Sequence, residues 1–436
     1  MRDTNKAVYL FLIVIFICYV LLRAIINLPA LNKPRELADT TAYLRISNQP
    51  LLSAVFWGSS RPLGFPLLLK IAHQNDQVTA TLQLGFSILV WGLLAFAVAA
   101  SLRPLWLQPL AFVLILALSL VRQLAGWDFV MMTESLSVSW FVLFLAVGVW
   151  LLHGWRIYKV ILLCVIAFFL AFTRDTNAYL LLMLAGLILL AVLLRWMQPR
   201  SLILAAFFIF IFLLNNADAS LGGRWIFPLI NLIGRRVLPN QQAVKFFESC
   251  GMPVTPELMG LKGEFANGDD RAFYNDPALE SFRTWLNEHG KTCYMRWLVT
   301  NPVDSISSSW NEFQNLIAFD NVDNGNYFSR AYDPVLPWRV ERVLYPDQLI
   351  LWIWGFVTAA ALIAVFSRAW RWNPLWAAFI LLCLPIFPHL FISWHGDAMA
   401  PQRHALSVGL ELMLSFWMLI FLLLDTVQRL LSKNEI

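Results

Sequence analysis

Ten long apolar runs constrain this chain more than any other feature, at about 7–28, 80–100, 104–121, 129–152, 160–173, 178–196, 201–215, 348–366, 373–392 and 405–424. A helix rising 1.5 Å per residue needs about 17–25 such residues to cross roughly 30 Å of hydrocarbon. Inside lipid every backbone N–H and C=O must find a partner within the protein, which leaves helices or a closed barrel. Runs of this length predict helices, although those at 160–173 and 201–215 are short for a crossing. Hydrophobic side chains make up 59% of the 436 residues and charged ones 14%, against about 45–50% and about 25% in soluble domains. A soluble protein is therefore excluded, and the expected fold class is an all-α polytopic membrane protein with about ten transmembrane helices. The first run is too long for a cleaved signal peptide, and no small-residue cleavage site follows it before Leu31.

Charges then orient the spans. With the N-terminus inside, the turns holding Arg103, Arg156 and Lys159, Arg195 and Arg200, and Arg368 and Arg371 all face the cytoplasm. Both tails do so too, with Arg2, Lys6, Arg429 and Lys433, as the positive-inside rule requires. Of the 27 acidic residues, all but Asp3, Asp425 and Glu435 fall on the outer side or in outer halves of spans. A net charge of +5 is explained by these cationic flanks. No basic cluster or aromatic-interleaved sheet motif accompanies it, so nucleic acid is not an expected partner.

Two outer segments are large: a first loop at about 29–79 and a stretch at about 216–346 holding 15 acidic and 12 basic residues. The second reads as a mostly helical domain between the seventh and eighth spans, dividing the chain into a core at 1–215, the domain at 216–346 and closing helices at 347–436. Its capping signals are Asn240, with Gly251 past the helix end, then Thr255-Pro256, Asp276-Pro277 leading to Gly290, and Asn301-Pro302. Cys250 and Cys293 lie in this domain, where an oxidising compartment permits a disulfide, but spacing alone does not establish one. No Asn-x-Ser/Thr acceptor occurs, which favours a bacterial plasma membrane.

Chemistry at the outer boundary has few residues to draw on. In the first loop, Leu37, Leu44, Leu51, Leu52, Phe56 and Trp57 predict segments lying along the membrane surface, with Asp39 held at the boundary. Asp39 also stands where a helix N-cap would, and its residue chemistry alone favours that simpler role. Asp128 and Glu134 open the fourth span, where an ionised side chain must find a partner or water. Arg61, Arg174 and Arg403 offer planar forks that match phosphate oxygens, and Arg174 has Asp175 beside it for a local ion pair. His389, His395, Asp397 and His404 fall close together, but their spacing fits no zinc pattern. Glu411, about two turns into the last span, reads either as a functional group or as one half of a pair with Arg23 or another interior cation.

The order of these motifs resembles the GT-C superfamily of integral membrane glycosyltransferases. The similarity rests on Asp39 a few positions before Tyr43, the Arg61-Pro62-Leu63-Gly64-Phe65-Pro66 string re-entering the membrane, Asp128 through Leu136, and Arg403-His404 before the final span. It covers about residues 1–215 and 346–425, while the outer domain matches no pattern of that family. The resemblance implies transfer of a sugar from a polyprenyl-phosphate donor to a lipid, glycan or protein acceptor on the extracytoplasmic face. It implies Asp39 as catalytic base supported by Tyr43, Glu134 in acceptor binding or as a second acid/base with Asp128 competing for that place, and Arg61, Arg174, Arg403 and His404 at the phosphate. It leaves a divalent cation open, since some members hold one on such acidic pairs and others work without.

Two other function classes share the composition. An O-antigen ligase or polymerase also combines many spans with a long late outer loop, but it lacks the acidic first loop. A transporter or flippase is disfavoured by charge crowded on one face and by the lack of an inverted pair of Gly/Pro-broken helices.

Overall fold

A computed structural model describes residues 2–268, 271–317, 327–345, 352–353, 355–360 and 373–433. The described chain is helical throughout, and its β-type pairing is a single isolated parallel bridge between Arg35 and Val130. In chain order the elements that matter are α1 (Arg2–Ile26), α2 (Thr40–Ser47), α3 (Gly64–Ile71), α4 (Asp76–Ser101), α5 (Leu107–Leu118), α6 (Thr133–Leu152), α7 (Ile157–Ala171), α8 (Asp175–Leu193) and α9 (Leu202–Leu221). The outer domain contributes α10 (Ile226–Leu232), α11 (Gln241–Ser249), α12 (Lys291–Thr300) and α13 (Pro302–Asn311). The closing elements are α14 (Leu375–Cys383), α15 (Ile386–Gly396) and α16 (Leu406–Lys433).

Seven helical stretches among the described residues are long and apolar enough to cross a membrane, making this an integral, polytopic all-α membrane protein. They include α1, α4, α6, α8, α9 with the turn before it, α14 joined to α15, and α16. The remaining expected spans differ. The run at 104–121 breaks after Leu118 and turns by 55° into Arg122–Phe129, and α7 has only 15 residues, about 22 Å of helix. The run at 348–366, Arg368 and Arg371 lie mostly or wholly outside the described residues. Conversely, α9 continues to Leu221, past the expected end at 215, because Arg224 folds back onto Asp218 at 2.9 Å and Asp175 at 3.2 Å.

Burial sets the layers. The last span is the most buried of the seven, at 78%, whereas α1 is 17% buried and turns Leu10, Ile13, Ile17 and Leu21 outward. One inward position of α1, Arg23, is fully buried and donates to Asp128 at 2.5 Å. At one end, Asp425 of α16 accepts from the Arg103 backbone N–H and from Asn373 Nδ2, and pairs with Arg429. Arg403 stands just before the other end of α16, whose start at Leu406 lies about 28 Å from Asp425 along the helix.

The outer domain builds its own core around Ile233, Phe247, Leu258, Phe273 and Phe282. Asn240, Thr255 and Asp276 cap as expected, accepting from the backbone N–H of Ala243, Leu258 and Ala278. Asn301 does not cap the helix after it; its amide donates back to Trp297 O. Gly290 does not stop a helix either. The chain passes through it into α12, and a Cβ there would meet Leu286 and Leu229 at 3.0 and 3.3 Å, so the glycine serves close packing. Cys250 and Cys293 are joined in a disulfide with Cα atoms 6.1 Å apart, closing a separation of 43 residues. Replacing both by Ser is expected to cost the domain about 4 kcal/mol on the chain-entropy estimate. Limited proteolysis with and without reductant checks this, with cleavage confined to about 223–310.

Candidate functional site

The first loop is pinned against the start of α6. Arg35 N donates to Phe129 O at 2.8 Å, Met131 N donates to Arg35 O at 2.9 Å, and Thr40 Oγ1 donates to Met131 O at 3.0 Å. This brings Asp39 alongside Glu134 in the first turn of α6, where the helix N-terminus favours a carboxylate. Asp39 occupies the N-cap position of α2 but makes no side-chain capping bond. Its carboxylate instead accepts from Arg61 Nη2 at 2.5 Å and from both Arg403 terminal nitrogens at 3.3 Å. The capping role is thus set aside by geometry.

Gly64 explains how Arg61 arrives. Its N–H donates to Phe172 O at 2.8 Å, and a Cβ on it would lie 2.6 Å from Thr173 Oγ1 and 3.0 Å from Thr173 Cα. Only a glycine lets the Arg-Pro-Leu-Gly turn seat on the α7–α8 turn that carries Arg174. Gly64→Ala is expected to cost about 1–3 kcal/mol by forcing those backbones apart, measured as a lowered midpoint of thermal unfolding in detergent.

Arg174 does not pair with its neighbour Asp175, which Arg224 holds. It donates to Glu134 Oε1 at 3.3 Å, to Arg403 O at 3.4 Å and to His404 Nδ1 at 2.9 Å. Because a guanidinium can only donate, His404 Nδ1 must be the acceptor, and the proton of the neutral ring sits on Nε2. Burial, reinforced by the charges of Arg174, Arg403 and Arg61, drives the imidazole well below its ordinary range and keeps it neutral. Arg403 Nε approaches Glu134 at 3.3 Å. Burial works against its charge, but Glu134 and Asp39 outweigh that and hold Arg403 above the usual guanidinium range. Tyr43 is buried edge-on against Phe65 at 5.2 Å, with the Arg61 guanidinium 5.7 Å from its ring centre. Burial raises its phenol, so it stays protonated and acts through packing.

Seven of the eight residues singled out from sequence therefore meet at one end of the bundle: Asp39, Tyr43, Arg61, Glu134, Arg174, Arg403 and His404. The cluster is graded from wet to dry, with Arg61 and Asp39 side chains 31% and 26% exposed and Glu134 1%. Three guanidinium groups face two carboxylates, leaving positive charge unbalanced at the open rim. Asp128 is the exception. It is buried on the far side of α6, held by Arg23 and by Ser135 Oγ at 2.5 Å, with Gln83 bonded to its carbonyl.

Sequence reading missed how the outer domain fixes Arg403 and His404. Asn231 of α10 donates to Asp397 Oδ1 at 2.9 Å, and the Met399 N–H reaches the same oxygen at 2.8 Å. Arg236 stacks 3.5 Å over the Trp394 ring and donates to its carbonyl at 2.6 Å. His395 Nε2 donates to Ser305 O at 3.0 Å, which leaves Nδ1 to accept from Tyr294 at 3.1 Å. Glu411 pairs not with Arg23 but with His389 Nδ1 at 2.7 Å, both fully buried. Among the described residues no group of three or more His, Cys, Asp or Glu could hold a metal ion. Compared with known proteins, the chain matches no family model, no curated protein and no solved structure.

Proposed function

We propose that the protein is a membrane glycosyltransferase that moves a sugar from a polyprenyl-phosphate carrier to an acceptor hydroxyl on the extracytoplasmic face. The observation that supports this reading most is the partly exposed carboxylate of Asp39, set at the open rim between Arg61 and Arg403 while the other carboxylate, Glu134, is buried. In the proposed step the acceptor oxygen attacks the anomeric carbon and its proton passes to Asp39. The bond from that carbon to the phosphate oxygen breaks, and its electron pair stays on the phosphate. Developing charge on that phosphate is stabilised by Arg61 and Arg403, which face Asp39, with Arg174 behind them. Glu134, buried between Arg174 and Arg403, acts in this scheme as a positioning residue rather than a second acid/base. Asp128 has no part in it. The bacterial plasma membrane and cytoplasmic termini belong to the same proposal.

Titration with polyprenyl phosphate tests the phosphate half. Wild-type protein should gain thermal stability as the lipid is added, and Arg61→Ala should lose most of that gain; equal gains in both would remove Arg61 from the site. Orientation is tested separately. Arg200→Cys should be protected from an impermeant thiol reagent added outside cells, and labelling there would place the arginine-rich cluster on the wrong face.

A further inference from the structure

Away from that cluster, a cavity of about 320 Å³ lies between α6, α8, α9 and α14. Its walls are apolar, formed by Phe144, Gly148, Leu184, Phe208 and Leu382 among others, and no acidic residue lines it. Gly148 is about 21 Å along α6 from Glu134 at 1.5 Å per residue, so the cavity belongs to the opposite half of the bundle. A Cβ on Gly148 would meet nothing within 4 Å, which shows the space is real at the helix surface. The volume is about twice the ~150 Å³ of a dry cavity that takes up benzene.

Its polar end is built from the turns after α6 and α8. Arg200 lines the cavity there with Gln198, Ser201, Trp155 and Trp196, and its guanidinium stands 5.0 Å over the Trp155 ring. Arg200 is exposed and has no carboxylate partner among the described residues, and Arg156 and Arg195 lie in the same two turns. Paired Trp residues mark a headgroup level, and basic pockets between spans attract anionic headgroups.

We infer that this cavity is a binding site for one anionic phospholipid of the leaflet facing these turns. One acyl chain fills the apolar space and the phosphate rests on Arg200. A phospholipid fits better than the polyprenyl-phosphate donor because a phosphate held here is a bundle's length from Arg403 and could not react. That choice over the donor rests on the proposed transfer site, whereas the cavity and its arginine do not.

The test is lipid retention. Full-length protein is purified in mild detergent from membranes containing phosphatidylglycerol and phosphatidylethanolamine, washed, and its bound lipid identified by native mass spectrometry. Wild-type protein should retain phosphatidylglycerol in preference to phosphatidylethanolamine. Arg200→Gln should lower that retention about fivefold, as expected for one lost surface cation. Gly148→Trp and, from the facing helix, Leu184→Trp should each abolish it while eluting as the wild type does. Either filling variant suffices if the other fails to fold. Equal retention in the filled variants, equal retention of both headgroups, or recovery of polyprenyl phosphate instead would each overturn the assignment.

Discussion

Asp39→Asn is expected to lower sugar transfer by about two to four orders of magnitude, the usual contribution of a positioned general base. The substitution keeps shape and one acceptor oxygen, so one of Arg61 and Arg403 retains a partner while the amide nitrogen faces the other. Since Asp39 is partly exposed, each of its two ion pairs, with Arg61 and with Arg403, should contribute only about 0–1 kcal/mol of stability. That combination separates chemistry from structure. If Asp39 served only as a helix cap, Asn would cap as well and activity would persist. It would persist equally in a ligase or polymerase that places no base in the first loop. Transfer rate and unfolding midpoint, read on the same preparation, decide between these.

Glu134→Ala should behave in the opposite way, with stability and activity lost together. Glu134 is almost wholly buried, with Arg174 and Arg403 each 3.3 Å from its Oε1. Removing it leaves two guanidinium groups facing each other in a dry site, and breaking a buried pair of this kind costs about 3–5 kcal/mol. The expected result is a markedly lower unfolding midpoint and loss of Arg403 from its place beside Asp39. Glu134→Gln, which keeps an acceptor for one arginine, should fall between. A Glu134→Ala protein that unfolds at the wild-type midpoint would show that the ion pairs do not form.

Much of the architecture was legible because apolar run length and membrane thickness are tied by helix geometry. Where that reading slipped, the cause was a contact outside the run. Hydropathy passes smoothly through Ser119-Leu120-Val121, where the helix breaks and bends by 55°. Asn215, Asn216 and Asp218 look like the end of a span, but Arg224 neutralises Asp218 and the helix continues. In the site, the order Asp39, Arg61, Glu134, Arg174, Arg403 could be read along the chain, since each stands at the edge of an apolar run where a charge is conspicuous. The choice between Asp128 and Glu134 could not, because it was made by Arg23, 105 residues before Asp128. Likewise Glu411 found His389 rather than Arg23, and Asn231 and Arg236 looked like ordinary domain residues until they were seen holding Asp397 and Trp394. The disulfide lay beyond spacing for the same reason: a separation of 43 residues says nothing about Cα distance.

Transfer itself is the most direct measurement. Purified protein is incubated with a panel of labelled polyprenyl-phosphate sugars and membrane extract as acceptor, beside Asp39→Asn and Arg403→Ala. Labelled product from wild-type protein, with neither variant supporting it, is the predicted result. Transfer by all three alike, or by none with any donor in the panel, would contradict a glycosyl-transfer site at the arginine-rich end of the bundle.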